Sequence, residues 1–337
     1  MKAVGLERYL PISDPDSLLD IEIDKPEPKE RDLVVRIEAI AVNPVDTKVR
    51  APKDKVEETP RILGWDAAGV VEEVGEKVTL FEPGDEVYYA GDITRPGAYA
   101  EYQAVDERIV GRKPSTLSFA EAAALPLTTI TAYEAFFDRL DLDRDGDNRG
   151  ETLLIIGGAG GVGSIGIQLA KAAELDVIAT ASRPETIRWV RELGADHVVN
   201  HREPLRPQIE ALGLSFVNHI AIFNDTDGHW DAVTDLIRPQ GRIVTIVENA
   251  RPLDMDRLKT KAAGLVWELM FTRSMFETPD MIEQHRLLSY VADEIDAGRL
   301  RSTVSETLTP INAENLRRAH ALIESGKAKG KVTLSWS

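Results

Sequence analysis

Leu153-Leu154-Ile155-Ile156-Gly157-Gly158-Ala159-Gly160-Gly161-Val162-Gly163 runs four aliphatic residues straight into a glycine cluster, and an apolar, alanine-containing segment follows over 164–173. That order is strand, tight turn, helix, and it presents a helix N-terminus to a pyrophosphate. The turn contains Gly158-x-Gly160-x-x-Gly163. A backbone that must approach a diphosphate closely cannot carry a Cβ at those positions. The stretch is therefore expected to bind a dinucleotide through Gly158, Gly160, Gly161, Val162 and Gly163.

Working outward, the chain beyond the turn alternates strands and helices. Strands are expected at 152–156, 176–181, 197–200, 217–223 and 242–247, with helices at 185–193 and 230–237. Near-continuous apolar runs suit strands buried on both faces of a parallel sheet, and right-handed crossovers between them give a doubly wound fold. The end of the second strand selects the cofactor. A carboxylate there accepts hydrogen bonds from the adenosine ribose of NAD(H). This chain has Thr180-Ala181-Ser182-Arg183 instead. A hydroxyl and a guanidinium suit a 2′-phosphate, so NADP(H) is expected, held by Ser182 and Arg183. The plainer reading of Arg183 is a solvated loop charge.

A chain of 337 residues exceeds what one core usually supports, so two domains are expected. Acidic residues outnumber basic ones 57 to 40, a formal charge of -17, which argues against nucleic-acid and anionic-membrane partners. There is no cysteine, hence no disulfide and no thiolate metal site. The first residues run into charged sequence without a signal-type apolar region, and no apolar run approaches the ~20 residues a bilayer span needs. A cytoplasmic protein is expected.

The first third is punctuated by Pro and Gly. Strands are expected at 34–40, 68–74, 86–90 and 97–102, with a turn at Glu82-Pro83-Gly84-Asp85, which is the pattern of a small β-barrel. Helices are expected at 118–125, broken by Pro126, and at 134–140, with a charged loop over 141–150. Gly64, Asp66, Gly69, Val71, Gly75, Val78, Gly84, Asp85 and Val87 match a spaced signature. On it the chain resembles the quinone oxidoreductase branch of the medium-chain dehydrogenase/reductase superfamily. The Ser182-Arg183-Pro184-Glu185 turn and Phe271-Thr272-Arg273-Ser274-Met275-Phe276 resemble its zinc-type alcohol dehydrogenase-like subgroup.

The resemblance implies an α/β protein with a GroES-like β-barrel catalytic domain and a Rossmann doubly wound parallel-sheet nucleotide domain. It implies a discontinuous catalytic domain, 1–125 with 278–337, around an NADP(H)-binding domain at 126–277. It puts Thr129 near the nicotinamide, and Gly326-Lys327-Ala328-Lys329-Gly330-Lys331-Val332 resembles the closing Gly-Lys segment, with Lys331 expected to reach the cofactor. A strand within 265–271 is expected to pair with its twofold mate in a homodimer. After it come a helix over 280–297, strands at 303–308 and 331–334, and a helix at 313–324.

Zinc members of the superfamily hold metal through Cys, His and Cys. Their motifs fall here on Asn43, Trp65 and Leu127, none of which ligates zinc strongly. The six His residues form no alternative ligand set, and no metal is expected. The implied chemistry is metal-free hydride transfer from NADPH to a small-molecule acceptor, a quinone or an α,β-unsaturated carbonyl. Asn43 is the candidate donor to the developing oxyanion, its plainer reading being an Asn-Pro turn residue. Asp46 is expected to fix the loop. Trp65 is either an apolar wall for a flat acceptor or filler in the space of the metal. Tyr88 and Tyr89 are proton sources by residue type alone. The rival readings are a zinc-type alcohol dehydrogenase and a non-catalytic NADPH-binding sensor or structural protein.

Overall fold

The computed structural model describes residues 1–336. The chain divides into two compact units, Met1–Ile130 with Phe271–Ser337, and Thr131–Met270. The changeovers fall after residues 130 and 270, where the sequence boundaries were drawn after 125 and 277.

The first unit opens with β1 (Lys2–Tyr9), β2 (Leu19–Glu22) and β3 (Asp32–Val42), then α1 (Pro44–Arg50) and β4 (Lys53–Ile62). β5 (Ala67–Val74), β6 (Glu86–Tyr89), β7 (Tyr102–Asp106) and β8 (Val110–Arg112) follow, then α2 (Phe119–Ala123) and α3 (Pro126–Tyr133). One helix was expected over 118–125. It is shorter, and Pro126 starts a second helix at N1, where its missing N–H costs nothing. The strand expected at 97–102 begins only at Tyr102. Gly97, Ala98 and Tyr99 instead donate to Ile62, Gly64 and Leu63 carbonyls.

The second unit has β9 (Thr152–Ile156), α4 (Gly161–Ala172), β10 (Asp176–Thr180), α5 (Pro184–Glu192) and β11 (His197–Val199). It continues through α6 (Leu205–Ala211), β12 (Val217–Ile222), α7 (Thr226–Leu236), β13 (Ile237–Thr245), α8 (Asp256–Lys259) and β14 (Gly264–Trp267). All pairings are parallel, in the order β11-β10-β9-β12-β13-β14. Counted from β9 this is 3-2-1-4-5-6, the Rossmann order, and its reversal point lies between β9 and β12. Every residue of β9 is buried, as its unbroken aliphatic run requires. Leu154 and Ile156 pack with Ile178, Ile220, Ile222, Trp230 and Val233 in one continuous core. The expected helix over 134–140 is π-wound at Glu134–Arg139. Residues 265–271 hold a strand only to Trp267.

The chain then returns to the first unit with α9 (Thr272–Met275), α10 (Glu283–Asp296), β15 (Val304–Leu308), α11 (Ala313–Glu324) and β16 (Lys331–Ser335). β16 completes the larger sheet there, ordered β15-β16-β3-β5-β6-β8, with β7 also on β3. The smaller sheet is β2-β1-β4. No helix of the described residues is long and apolar enough to cross a membrane.

Candidate active site

In the nucleotide unit, Gly157 takes a left-handed φ of 85°, and its N–H donates to Thr180 Oγ1 at 2.9 Å, tying the turn to β10. Gly160 is the N-cap of α4 and no side chain caps it. The first N–H groups of a helix lack partners within it, so this end is a ready anion site. The glycines are not equivalent. A Cβ on Gly163 would lie 2.4 Å from Gly157 O and 2.7 Å from Gly158 Cα, so the fold itself forbids one. A Cβ on Gly160 would meet only Gly157 O, at 3.5 Å. Space is left open at that position, which is what a diphosphate cradle requires. Gly161 and Val162 form the first turn of α4 beside them.

At the end of β10, Thr180 is engaged by the turn, so Ser182 carries the remaining hydroxyl. Arg183 is the N-cap of α5, and its guanidinium pairs with Glu185 at 3.1 Å. No carboxylate occupies residues 180–183. These residues fit a dinucleotide. In the other unit, Thr129 on α3 is fully buried and its hydroxyl has no partner, an orphaned polar atom of the kind a ligand amide satisfies.

In that same unit, three neighbouring strands converge at one end. Val42 closes β3 opposite Val332 of β16, which sets Lys331 beside Asn43, and Asp66 immediately precedes β5, whose Ala67 pairs Ile40. Asn43 Nδ2 donates to Asp66 Oδ2 at 2.7 Å. Lys331 Nζ donates to Asn43 Oδ1 at 2.5 Å, Asp66 Oδ2 at 2.9 Å and Val42 O at 3.1 Å. Leu127 N, in the first turn of α3, donates to Asp66 Oδ1 at 2.8 Å. The positions matched to two of the superfamily's metal ligands, Asn43 and Leu127, thus both bond the carboxylate that follows the third, Trp65. Burial pushes the Asp66 carboxyl up, and the Lys331 ammonium with the Asn43 and Leu127 N–H groups pulls it back. Every group bonded to its oxygens is a donor, so the ionised form is the one this arrangement serves.

Lys331 was grouped with the cofactor residues. Its side chain is 3% exposed, and all three of its N–H groups go to Val42, Asn43 and Asp66. Trp65 is buried, donates to Asp92 O at 3.2 Å and meets Phe271 edge-on at 6.1 Å. A zinc ion does not fit here. The residues offer an amide, an indole and a leucine, and an ammonium already sits on the acceptors. Among the described residues no cluster of three or more His, Asp or Glu is placed to hold a metal.

Asp46, third residue of α1, accepts from Asn43 N at 2.8 Å and from Tyr99 Oη at 2.9 Å, so it holds the Asn43 loop. Burial pushes its carboxyl up to about 7. Behind it lies a chain the sequence did not reveal. Arg50 Nε donates to His320 Nδ1 at 3.4 Å, which leaves the proton on Nε2 to donate to Tyr99 Oη at 3.1 Å. Arg50 also pairs with Glu324. Burial and the Arg50 guanidinium push His320 down to about 3, so it is neutral. Tyr88 donates to Leu288 O at 2.6 Å, and burial holds Tyr88 and Tyr89 far above the ordinary phenol range, which makes both poor acids.

The chain matches the alcohol dehydrogenase GroES-like domain over residues 29–115 and the zinc-binding dehydrogenase family over 193–334. It is 42% identical over 336 residues to a zinc-type alcohol dehydrogenase-like protein of Staphylococcus aureus, covering 99% of this chain and 100% of that one. It is 32% identical over 327 residues to 2-methylene-furan-3-one reductase of Solanum lycopersicum, covering 94% of this chain and 74% of that enzyme. A Rhizobium etli structure described as that of a zinc-dependent alcohol dehydrogenase superposes with a TM-score of 0.95 at 54% identity, over 100% and 98% of the two chains. A mycobacterial structure in complex with NADPH superposes with a TM-score of 0.83 at 25% identity, over 99% and 100%.

Proposed function

The chain belongs to the zinc-type alcohol dehydrogenase-like group of the medium-chain dehydrogenase/reductase superfamily, and from that membership we propose that it is an NADPH-dependent, metal-free reductase of quinones or α,β-unsaturated carbonyls. The observation that carries this reading is the Asn43–Asp66–Lys331 cluster at the metal positions. It offers a polarised amide donor and no metal ligands. A tomato relative named for an enone and a mycobacterial neighbour holding NADPH support acceptor class and cofactor.

NADPH supplies the hydride, which goes to the β-carbon of an enone or to a quinone ring. The α4 N-terminus with Gly160 and Gly161 would hold the diphosphate, and Ser182 with Arg183 would hold the 2′-phosphate. The Arg183–Glu185 pair is surface-lying and worth only ~0–1 kcal/mol, so the guanidinium would be available to a dianionic phosphate. Thr129, whose buried hydroxyl has no partner, would hold the nicotinamide end. Negative charge develops on the acceptor oxygen as the hydride arrives. Asn43 Nδ2 has two N–H groups and Asp66 takes one, so the second is the donor to that oxygen. The resulting enolate or hydroquinone anion takes its proton from water.

NADPH oxidation is measured against a panel of quinones, 2-alkenals and cyclic enones, with NADH as control. NADPH is the better reductant by kcat/KM. Arg183→Ala loses on the order of tenfold with NADPH and little with NADH, the worth of one charge-assisted phosphate contact. Asn43→Ala lowers kcat by on the order of 100-fold, as loss of an oxyanion donor does. Equal efficiency with NADH overturns the cofactor assignment, and undiminished turnover of every acceptor by Asn43→Ala removes it from the chemistry. NADPH binding without oxidation across the panel turns the reading to a sensor.

A further inference from the structure

An amide side chain wedged between a pure donor and a pure acceptor has one orientation. Lys331 Nζ lies 2.5 Å from Asn43 Oδ1, and Asp66 Oδ2 lies 2.7 Å from Asn43 Nδ2. An ammonium only donates and a carboxylate only accepts. Turning the amide over would set its NH2 against the ammonium and its carbonyl against the carboxylate, in a site where Asn43 and Asp66 are wholly buried. Low local dielectric makes that reversal costly and the observed orientation strong. The ion pair is itself closed: Lys331 and Asp66 meet at 2.9 Å, the third ammonium proton goes to Val42 O, and Leu127 N fills the far carboxylate oxygen. Nothing in the triad is left to reach a ligand except the second N–H of Asn43. The ammonium sits on Asn43, at one position matched to the superfamily's metal ligands, and on Asp66, which follows another.

We propose that Lys331 is a positioning residue, an internal cation held against Asn43 at one of the positions matched to the superfamily's metal ligands, which together with Asp66 locks the Asn43 amide so that its free N–H faces the reacting oxygen. A metal ion provides its own positive charge at the oxyanion. Here the positive charge polarises an amide, and the amide meets the substrate. This rests on the reading above that Asn43 is the oxyanion donor.

The test uses full-length protein without cofactor, then with it. Lys331→Met alone strands a buried Asp66, so the informative variant is the double one, Lys331→Met with Asp66→Asn, in which both charges go together, with Lys331→Arg as the charge-keeping control. The Asn43 side-chain amide resonances are identified by their loss in Asn43→Ser. In wild type and in Lys331→Arg one amide proton is protected. In the folded double variant both exchange faster, by on the order of tenfold, because either orientation is open. With NADPH and a reducible acceptor, kcat of the double variant falls on the order of 10–100-fold while acceptor KM and NADPH affinity hold. A folded double variant whose Asn43 amide stays as protected as in wild type overturns the inference. So does one tightly held zinc per wild-type chain. A freed amide with unchanged kcat leaves the lock standing and overturns Asn43 as donor. The amide spectrum decides the lock even if wild type oxidises NADPH with no acceptor at all.

Discussion

Asp46 shows what the buried polar layer does at the scale of one side chain. Its carboxyl has an ordinary value of 3.8, and burial pushes it to about 7, against the N–H of Asn43 and the hydroxyl of Tyr99, which favour the charged form. Between about pH 4 and about 7 the folded protein keeps a proton that the unfolded chain has lost. Folding is therefore favoured most below that window, and the contribution is lost as pH rises through about 7. The total is on the order of a few kcal/mol. Asp46→Asn keeps an acceptor for both donors and does not titrate. In urea unfolding the Asn variant gains on wild type by at least ~1 kcal/mol from pH 5 to pH 8, and parallel profiles for the two proteins would sink the assignment. At this scale part of the site was legible. Asn43, Trp65 and Leu127 are read off motif positions, and Asp66 stands inside the quoted signature. Lys331 was placed at the cofactor by resemblance to the closing Gly-Lys segment, and nothing in its local sequence marks it as buried against Asn43 and Asp66. Arg50, Tyr99 and His320 were invisible, since Arg50 and His320 meet across 270 positions of chain and no local spacing records that.

The turn between β9 and α4 separates two reasons for a glycine. At Gly163 the fold demands it, because a Cβ would press on backbone atoms at 2.4 and 2.7 Å that cannot give. At Gly160 a Cβ has room, φ is an ordinary -72°, and only a bound diphosphate would object. Gly163→Ala is accordingly expected to cost about 2–4 kcal/mol of stability. Gly160→Ala stays within about 1 kcal/mol, the range of an N-cap exchange, yet weakens NADPH binding at least ~10-fold. Thermal unfolding and NADPH titration of the two variants test this, and unchanged affinity in Gly160→Ala would place the diphosphate elsewhere. The nucleotide unit was readable element by element because its strands are short apolar runs buried on both faces, as β9 is throughout. The other unit was less so. β4 has the sequence KDKVEETPRI and is mostly exposed, so it has no alternation to read. It is a strand because β1 pairs with it. Gly97, Ala98 and Tyr99 read as strand but give their N–H groups to Ile62, Gly64 and Leu63 instead. Both outcomes are set by partners distant in sequence.

For the molecule as a whole, the edge of the six-stranded sheet is the surface that invites a second chain. β14 ends the six-stranded sheet and is only four residues long. Just there the chain exposes Trp267 at 47% and Leu269 at 52%. An edge strand presents unpaired backbone groups, and apolar side chains beside it add surface that water disfavours. Glu268, between those two side chains, is turned inward and buried, pushed up to about 9 by burial and by the neighbouring Glu134 carboxyl, so the outward face of this segment is apolar. We propose that two chains pair here about a twofold axis, β14 against β14, which is the isologous contact commonest among homo-oligomers. Each chain carries a formal charge of -17, so association works against long-range repulsion that salt screens. Two outcomes follow together. Light scattering at tens of micromolar, roughly the range where standard interfaces are saturated, gives twice the 37.2 kDa of one chain, and dissociation is weaker at about 0.3 M salt than at about 0.02 M. Trp267→Lys puts a charge into the contact and yields the single-chain mass with unchanged far-ultraviolet dichroism. A wild-type protein that stays at the single-chain mass at high salt defeats the pairing, and a dimer indifferent to Trp267→Lys moves the interface away from β14.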